Sequence, residues 1–143
     1  MLNQFKNKLH RFVPLLIILT AHLVVQSIAD AATMPMPVGA YSTATKSQLC
    51  IAGYSSNVRP STSYTSRIKN KLVRKWGGKV SDFELDHYMP IGLGGNPASL
   101  DNLWLQSWTE AKRKDVLENK LHRDVCANKI PLNQAQQQIL NWK

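Results

Sequence analysis

The run Glu84-Leu85-Asp86-His87-Tyr88-Met89-Pro90-Ile91-Gly92-Leu93-Gly94-Gly95, with Asp101-Asn102-Leu103-Trp104 behind it, limits this chain more than any other segment. Apolar and acidic side chains alternate from Val80 to His87, which predicts a strand. Gly94-Gly95 and Asn96-Pro97 are turn signals in a loop from Gly92 to Ser99, and Leu100 to Gln106 predicts a returning strand. Ser107 and Glu110 form a capping box, so a helix opens there. That helix carries Ala111, Leu117, Leu121 and Val125 inward and is expected to reach about Cys126. Strand, turn, strand and helix together bring an imidazole, a carboxylate and a carboxamide toward one place.

The segment before this run reads as export machinery. Lys6, Lys8 and Arg11 precede an apolar run from Phe12 to Val25, and Ala29-Asp30-Ala31 offers an A-x-A cleavage site. The other reading is an uncleaved membrane anchor, but the run is short for a span of about 20 residues and is interrupted by Pro14 and His22. The expected organisation is a signal peptide over 1–31, a flexible linker over 32–47 and one domain over 48–143, in a secreted or periplasmic protein. Cleavage after Ala31 removes Lys6, Lys8, Arg11 and Asp30, so 18 basic and 9 acidic residues become 15 and 8. The remaining excess of positive charge suits a polyanion, nucleic acid first and an anionic membrane or cell-wall polymer second. Plain solubility would account for it equally well.

Cys50 and Cys126 are the two cysteines. In an oxidising compartment they predict a disulfide closing a loop of about 75 residues, worth roughly 4 kcal/mol in the chain-entropy model. Without a C-x-x-C motif a zinc knuckle is not expected. A domain of about 95 residues has a modest core, so such a staple matters.

Upstream, Ile68, Leu72 and Trp76 recur at helical spacing within Ser61 to Trp76, and Gly77-Gly78 supplies the stop. Arg67, Lys69, Lys71, Arg74 and Lys75 occupy the rest of that surface, as a phosphate-tracking face or an ordinary solvated one. A last short helix is expected from Asn133, burying Ala135, Ile139, Leu140 and Trp142. Trp104 and Trp108 read as core residues and His122 as a helix residue without a chemical role.

The chemistry these residues suit is phosphodiester hydrolysis. It needs a base for water, charge stabilisation on the phosphorane and help for the leaving oxygen. His87 suits the base, and Asp86 and Asn102 offer hard oxygen ligands for a divalent cation such as Mg²⁺. One geometric condition applies. Neighbouring side chains on a regular strand diverge, so Asp86 and His87 reach one ion only if the strand bends or ends there.

Leu85-Asp86-His87-x-x-Pro90-Ile91, Leu93-Gly94-Gly95 and Asn102-Leu103-Trp104 resemble the D-H-x-x-P-L, G-G and N-L pattern of the HNH endonucleases. Weaker likenesses flank them, in Cys50, Gly53-Tyr54 and Arg59-Pro60 upstream and in Ala111, Lys112, Lys114-Asp115, Glu118, Leu121, Val125-Cys126 and Ala135-Gln136 downstream. The resemblance spans roughly Cys50 to Trp142. It implies an α+β fold with a small ββα-metal core and extra flanking helices. It also implies His87 as general base, Asp86 as metal ligand, and Asn102 as ligand or orienter of the base. The family's helix histidine falls at Ala111, where no imidazole exists, so Glu110 becomes the helix residue that could act on a metal-bound water. The implied cofactor is one divalent metal, with Mg²⁺ expected and Mn²⁺ or Zn²⁺ as alternatives. Lys112, Arg113 and Lys114, with Arg67, Lys71 and Arg74, are the expected phosphate contacts on DNA or RNA. Two other readings remain open: a catalytically silent HNH-like module that binds nucleic acid or another anionic polymer, and a disulfide-stapled interaction protein.

Overall fold

A computed structural model describes residues 36–143. The expected signal peptide lies outside them. The described chain is mixed helix and strand. Five α-helices, α1 (Lys46–Leu49), α2 (Tyr54–Asn57), α3 (Thr62–Trp76), α4 (Trp108–Cys126) and α5 (Leu132–Leu140), surround one antiparallel pair, β1 (Phe83–His87) and β2 (Leu103–Ser107). Glu84 lies opposite Gln106, Asp86 opposite Trp104 and His87 opposite Leu103. Alternation along the strands sends Leu85, His87 and Leu103 toward α3, and Asp86 and Trp104 toward the α4 face. None of the helices in the described residues is long and apolar enough to cross a membrane.

Local chemistry sets the element ends. Ser61 Oγ accepts a hydrogen bond from Tyr64 N at the start of α3, and Gly77, with φ 90°, ends it. At the start of α4, Glu110 N donates to Ser107 Oγ at 3.3 Å, and that hydroxyl lies 3.2 Å from Glu110 Oε2. Each cap satisfies a backbone donor that the first helical turn leaves unpaired.

Both strands are shorter than their alternation suggests. Val80–Asp82 and Leu100–Asn102 are 3₁₀ turns instead. Asp82 Oδ2 accepts from Lys79 N at 3.1 Å, and Ser99 Oγ accepts from Asp101 N at 3.3 Å. These local side-chain bonds compete with the ladder at its ends.

The core lies between α4, α5 and the turn Ile91–Leu93, where Met89, Leu93, Leu121, Val125, Ala135 and Ile139 are buried. Leu117, Leu140 and Trp142 are only half-buried. The expected apolar stripe of α3 is also half-buried. Ile68, Leu72 and Trp76 all keep some exposure, and Val73 is the buried residue. Grooves therefore run beside this helix rather than a closed interface. The expected Cys50–Cys126 disulfide is present and ties the end of α1 to the last turn of α4.

The upstream segment departs from the flexible linker expected over 32–47. Gly39 N donates to Asp101 O at 3.1 Å, Asn96 N to Ala40 O at 2.7 Å and Ser42 N to Gly94 O at 2.8 Å. Its small polar composition resembles a linker because its bonds come from backbone, which composition does not report. The loop it lies on is tight. A Cβ on Gly95 would sit 1.8 Å from Met89 O, so only glycine fits there.

Candidate active-site cleft

His87 lies at the end of β1 and is 3 % exposed. It lines a cleft of about 270 Å³ between the sheet and α3, together with Arg59, Thr62, Thr65, Ser66, Lys69 and Leu103. Its Nε2 lies 2.9 Å from Pro97 O. A carbonyl only accepts, so Nε2 carries the proton of the neutral ring, and Nδ1 is left as the proton acceptor. Burial pushes the imidazole below its ordinary value, with nearby Arg59 and Lys114 adding to that, against an opposing pull from the Pro97 bond and Asp86. The ring is therefore neutral near physiological pH, as a general base must be.

Asp86 points to the opposite face. Its Oδ2 accepts from Lys114 Nζ at 2.8 Å, and the same ammonium donates to His87 O at 2.8 Å. Lys114 is 0 % exposed, so it cannot hold a substrate phosphate as expected. Its position on α4 explains this. It falls three residues after Ala111 and seven before Leu121, on the inward stripe of the helix. Glu118 Oε2 lies 3.8 Å from the same ammonium. Burial nevertheless raises the Glu118 carboxyl to about 7, because desolvation outweighs the attraction of Lys114. Burial, then the charge of Asp86, also raises Glu84 and Asp115 on this face.

Asn102 is fully buried and spends its carboxamide on backbone. Its Oδ1 accepts from Met89 N at 2.8 Å, and its Nδ2 donates to Met89 O at 2.9 Å and Asn96 O at 3.0 Å. It is a clamp that holds the loop after β1 against the turn before β2, and it thereby fixes the segment that carries Pro97 O to His87. Replacing Asn102 with alanine strands a buried N–H and two carbonyls. The expected cost is about 2–4 kcal/mol, read by urea unfolding, with Asn102→Asp recovering little because it lacks the amide donor.

Glu110 is separate again. Lys143 Nζ lies 2.9 Å from Glu110 Oε1, and that hydrogen bond holds the carboxyl below its ordinary range. The expected magnesium set of Asp86, Asn102 and Glu110 is therefore not brought together. Asp86 is held by Lys114, Asn102 by three backbone groups and Glu110 by Lys143. The strand runs straight to His87, so the divergence of Asp86 and His87 that alternation demands is kept. These residues do not fit a metal between them.

The other expected cations stay outside. Lys112 and Arg113 are exposed on α4, and Arg74 is exposed in the last turn of α3. Arg67 and Lys71 rim a groove of about 380 Å³ with Tyr64, Ile68, Leu72 and Lys75. Trp104 is core, edge-on to Tyr88 with ring centroids 5.7 Å apart. Trp108, expected as core, is 46 % exposed, because its Nε1 donates to Ser81 O at 2.7 Å and holds the ring at the surface. Lys69, expected on a phosphate-tracking or solvated face of α3, lies in the cleft, and Arg59 is the cleft cation that charge and helical spacing did not single out. Arg59-Pro60 did carry a signal, through its place in the family resemblance. Comparison of the chain with protein-family models, curated proteins and solved structures finds no match.

Proposed function

We propose that the chain is an exported HNH-like module that hydrolyses phosphodiester bonds in nucleic acid, DNA first, with His87 as general base. The observation that carries this reading is the His87–Pro97 hydrogen bond, which presents an unprotonated Nδ1 beside a cationic cleft. In the proposed step, Nδ1 takes the proton of a water as its oxygen attacks phosphorus. Arg59 and Lys69 neutralise the charge that builds on the phosphorane oxygens, and the P–O3′ bond breaks as the leaving oxygen takes a proton from solvent water, giving a 3′ hydroxyl and a 5′ phosphate. Thr62 and Ser66 supply hydroxyl donors along the same wall, while Thr65 donates its own to the Thr62 carbonyl. The β1–β2 hairpin followed by α4 is the order that a ββα core requires.

The test is nicking of supercoiled plasmid and cleavage of labelled oligonucleotides, with Mg²⁺, with Mn²⁺ and with chelator. His87→Ala is expected to cost about 10²–10⁴ in kcat/KM. Only the neutral imidazole accepts a proton, so kcat/KM stays level at higher pH and falls as pH drops through a midpoint below about 6.5. Equal cleavage by wild type and His87→Ala ends the hydrolytic reading. A strict need for Mg²⁺ would require Asp86 to leave Lys114.

One observation favours a second reading, a catalytically silent module that binds nucleic acid. Asp86 and Asn102, the two residues that the resemblance makes ligands, are both held by other groups. That reading predicts salt-dependent DNA affinity without cleavage, weakened by Arg59→Ala and Lys69→Ala.

A further inference from the structure

The disulfide stands beside an imidazole that the proposed hydrolysis does not use. His122 and Cys126 lie one turn apart on α4, and Cys50 caps the end of α1. The ligand atoms of all three lie within 4.8 Å of one another, with His122 Nε2 3.6 Å from Cys126 Sγ. Two ligands at i and i+4 on one helix face are a known geometry for holding a metal. The three residues are half-buried, and a cavity of about 230 Å³ opens beside Cys50 and His122, lined also by Gly53, Tyr54 and Ser55. Room for a water as fourth ligand is therefore at hand.

We propose that reduction of Cys50–Cys126 converts this cluster into a Zn²⁺ site, with Cys50, Cys126 and His122 as ligands and a water in the open position. Two thiolates and an imidazole are the donor set that Zn²⁺ prefers, at about 2.3 Å for sulfur and about 2.0–2.1 Å for nitrogen. Tetrahedral angles then separate the ligand atoms by roughly 3.3–3.8 Å. His122 Nε2 already stands at that spacing from Cys126 Sγ, and the two sulfurs, bonded in the oxidised chain, move apart on reduction to reach it. A dithiol reductant gives two electrons and two protons to the sulfurs and becomes a disulfide itself. Zn²⁺ then displaces both thiol protons. In the oxidised chain His122 Nε2 lies 3.0 Å from Leu49 O, so its proton points at that carbonyl. Ligation through Nε2 gives up this bond and moves the ring proton to Nδ1. The metal joins α1 to α4 where the covalent bond did, so the chain keeps a staple in a reducing compartment.

The experiment compares the oxidised chain with chain reduced by a phosphine, using Zn²⁺ alone in competition with a chromophoric chelator and Co²⁺ as a spectroscopic probe. The reduced chain is expected to bind about one equivalent of Zn²⁺ with micromolar or tighter affinity, and the oxidised chain none at that site. Co²⁺ should give thiolate charge-transfer bands and the visible bands of a tetrahedral ion. His122→Ala should weaken binding at least about ten-fold in the reduced chain, while the oxidised variant stays folded and loses only the His122–Leu49 hydrogen bond. Zn²⁺ should raise the melting midpoint of the reduced chain. The proposal fails if reduction creates no Zn²⁺ site, if reduced His122→Ala binds as tightly, or if the reduced chain unfolds and Zn²⁺ does not refold it.

Discussion

Replacing Lys114 with alanine is expected to destabilise the domain by about 3–5 kcal/mol, the cost of leaving a buried charge without its partner. Lys114 is 0 % exposed and its ammonium holds both Asp86 Oδ2 and His87 O at 2.8 Å. Alanine strands the carboxylate beneath α4 and opens a void where the lysine stem packed. Glu118, already raised by burial, would lose the larger of the two attractions, from Lys114 and Arg59, that oppose the shift. The apolar pair Lys114→Met with Asp86→Leu should recover most of the loss, because such pairs often gain little over well-packed apolar replacements. Urea unfolding at pH 7 decides it. A single-variant loss under about 1 kcal/mol would mean that the ammonium is not the keystone of this face.

Removing the disulfide is the second large effect. Cys50→Ser with Cys126→Ser should cost about 4–5 kcal/mol, since the bridge joins residues 76 apart and restricts the unfolded chain accordingly. The melting midpoint should fall by well over 10 °C for a domain of this size. The scan belongs in chelator, so that no metal joins the thiols of the reduced wild-type control. That control should melt close to the double variant. A midpoint unchanged by either treatment would show that the core under α4 and α5 carries the fold unaided.

The helix after β2 and its cap were legible from Ser107, Glu110 and the spacing of Ala111, Leu121 and Val125. The disulfide was legible from the cysteine count and the expected compartment. The place of His87 was legible too, because it ends a strand before a glycine turn. The surroundings of Asn102, an expected ligand, and of Lys114, an expected phosphate contact, were not legible, for different reasons. Asn102 is polar and follows a turn, yet its value lies in Met89 and Asn96 backbone groups that no pattern displays. Lys114 looked like a surface cation, although the helical period already placed it on the inward stripe. Charge overrode spacing in that reading, and spacing was the better guide. The segment near Gly39 to Ser42 was illegible because its bonding to the rest of the fold is mostly through backbone groups.

Alternation along β1 leaves the hairpin working as a partition. One side holds Asp86, Lys114 and Glu118, and the other holds His87, Arg59 and Lys69. Selection can therefore act on the two sides with little interference. Changes beneath α4 bear on stability, and changes under α3 would bear on recognition if the proposed function holds. If the proposed hydrolysis holds, a library confined to the α3 side would alter substrate preference in a scaffold whose durability is set elsewhere, with the Lys114–His87 carbonyl bond and the charge of Arg59 as links between the two sides.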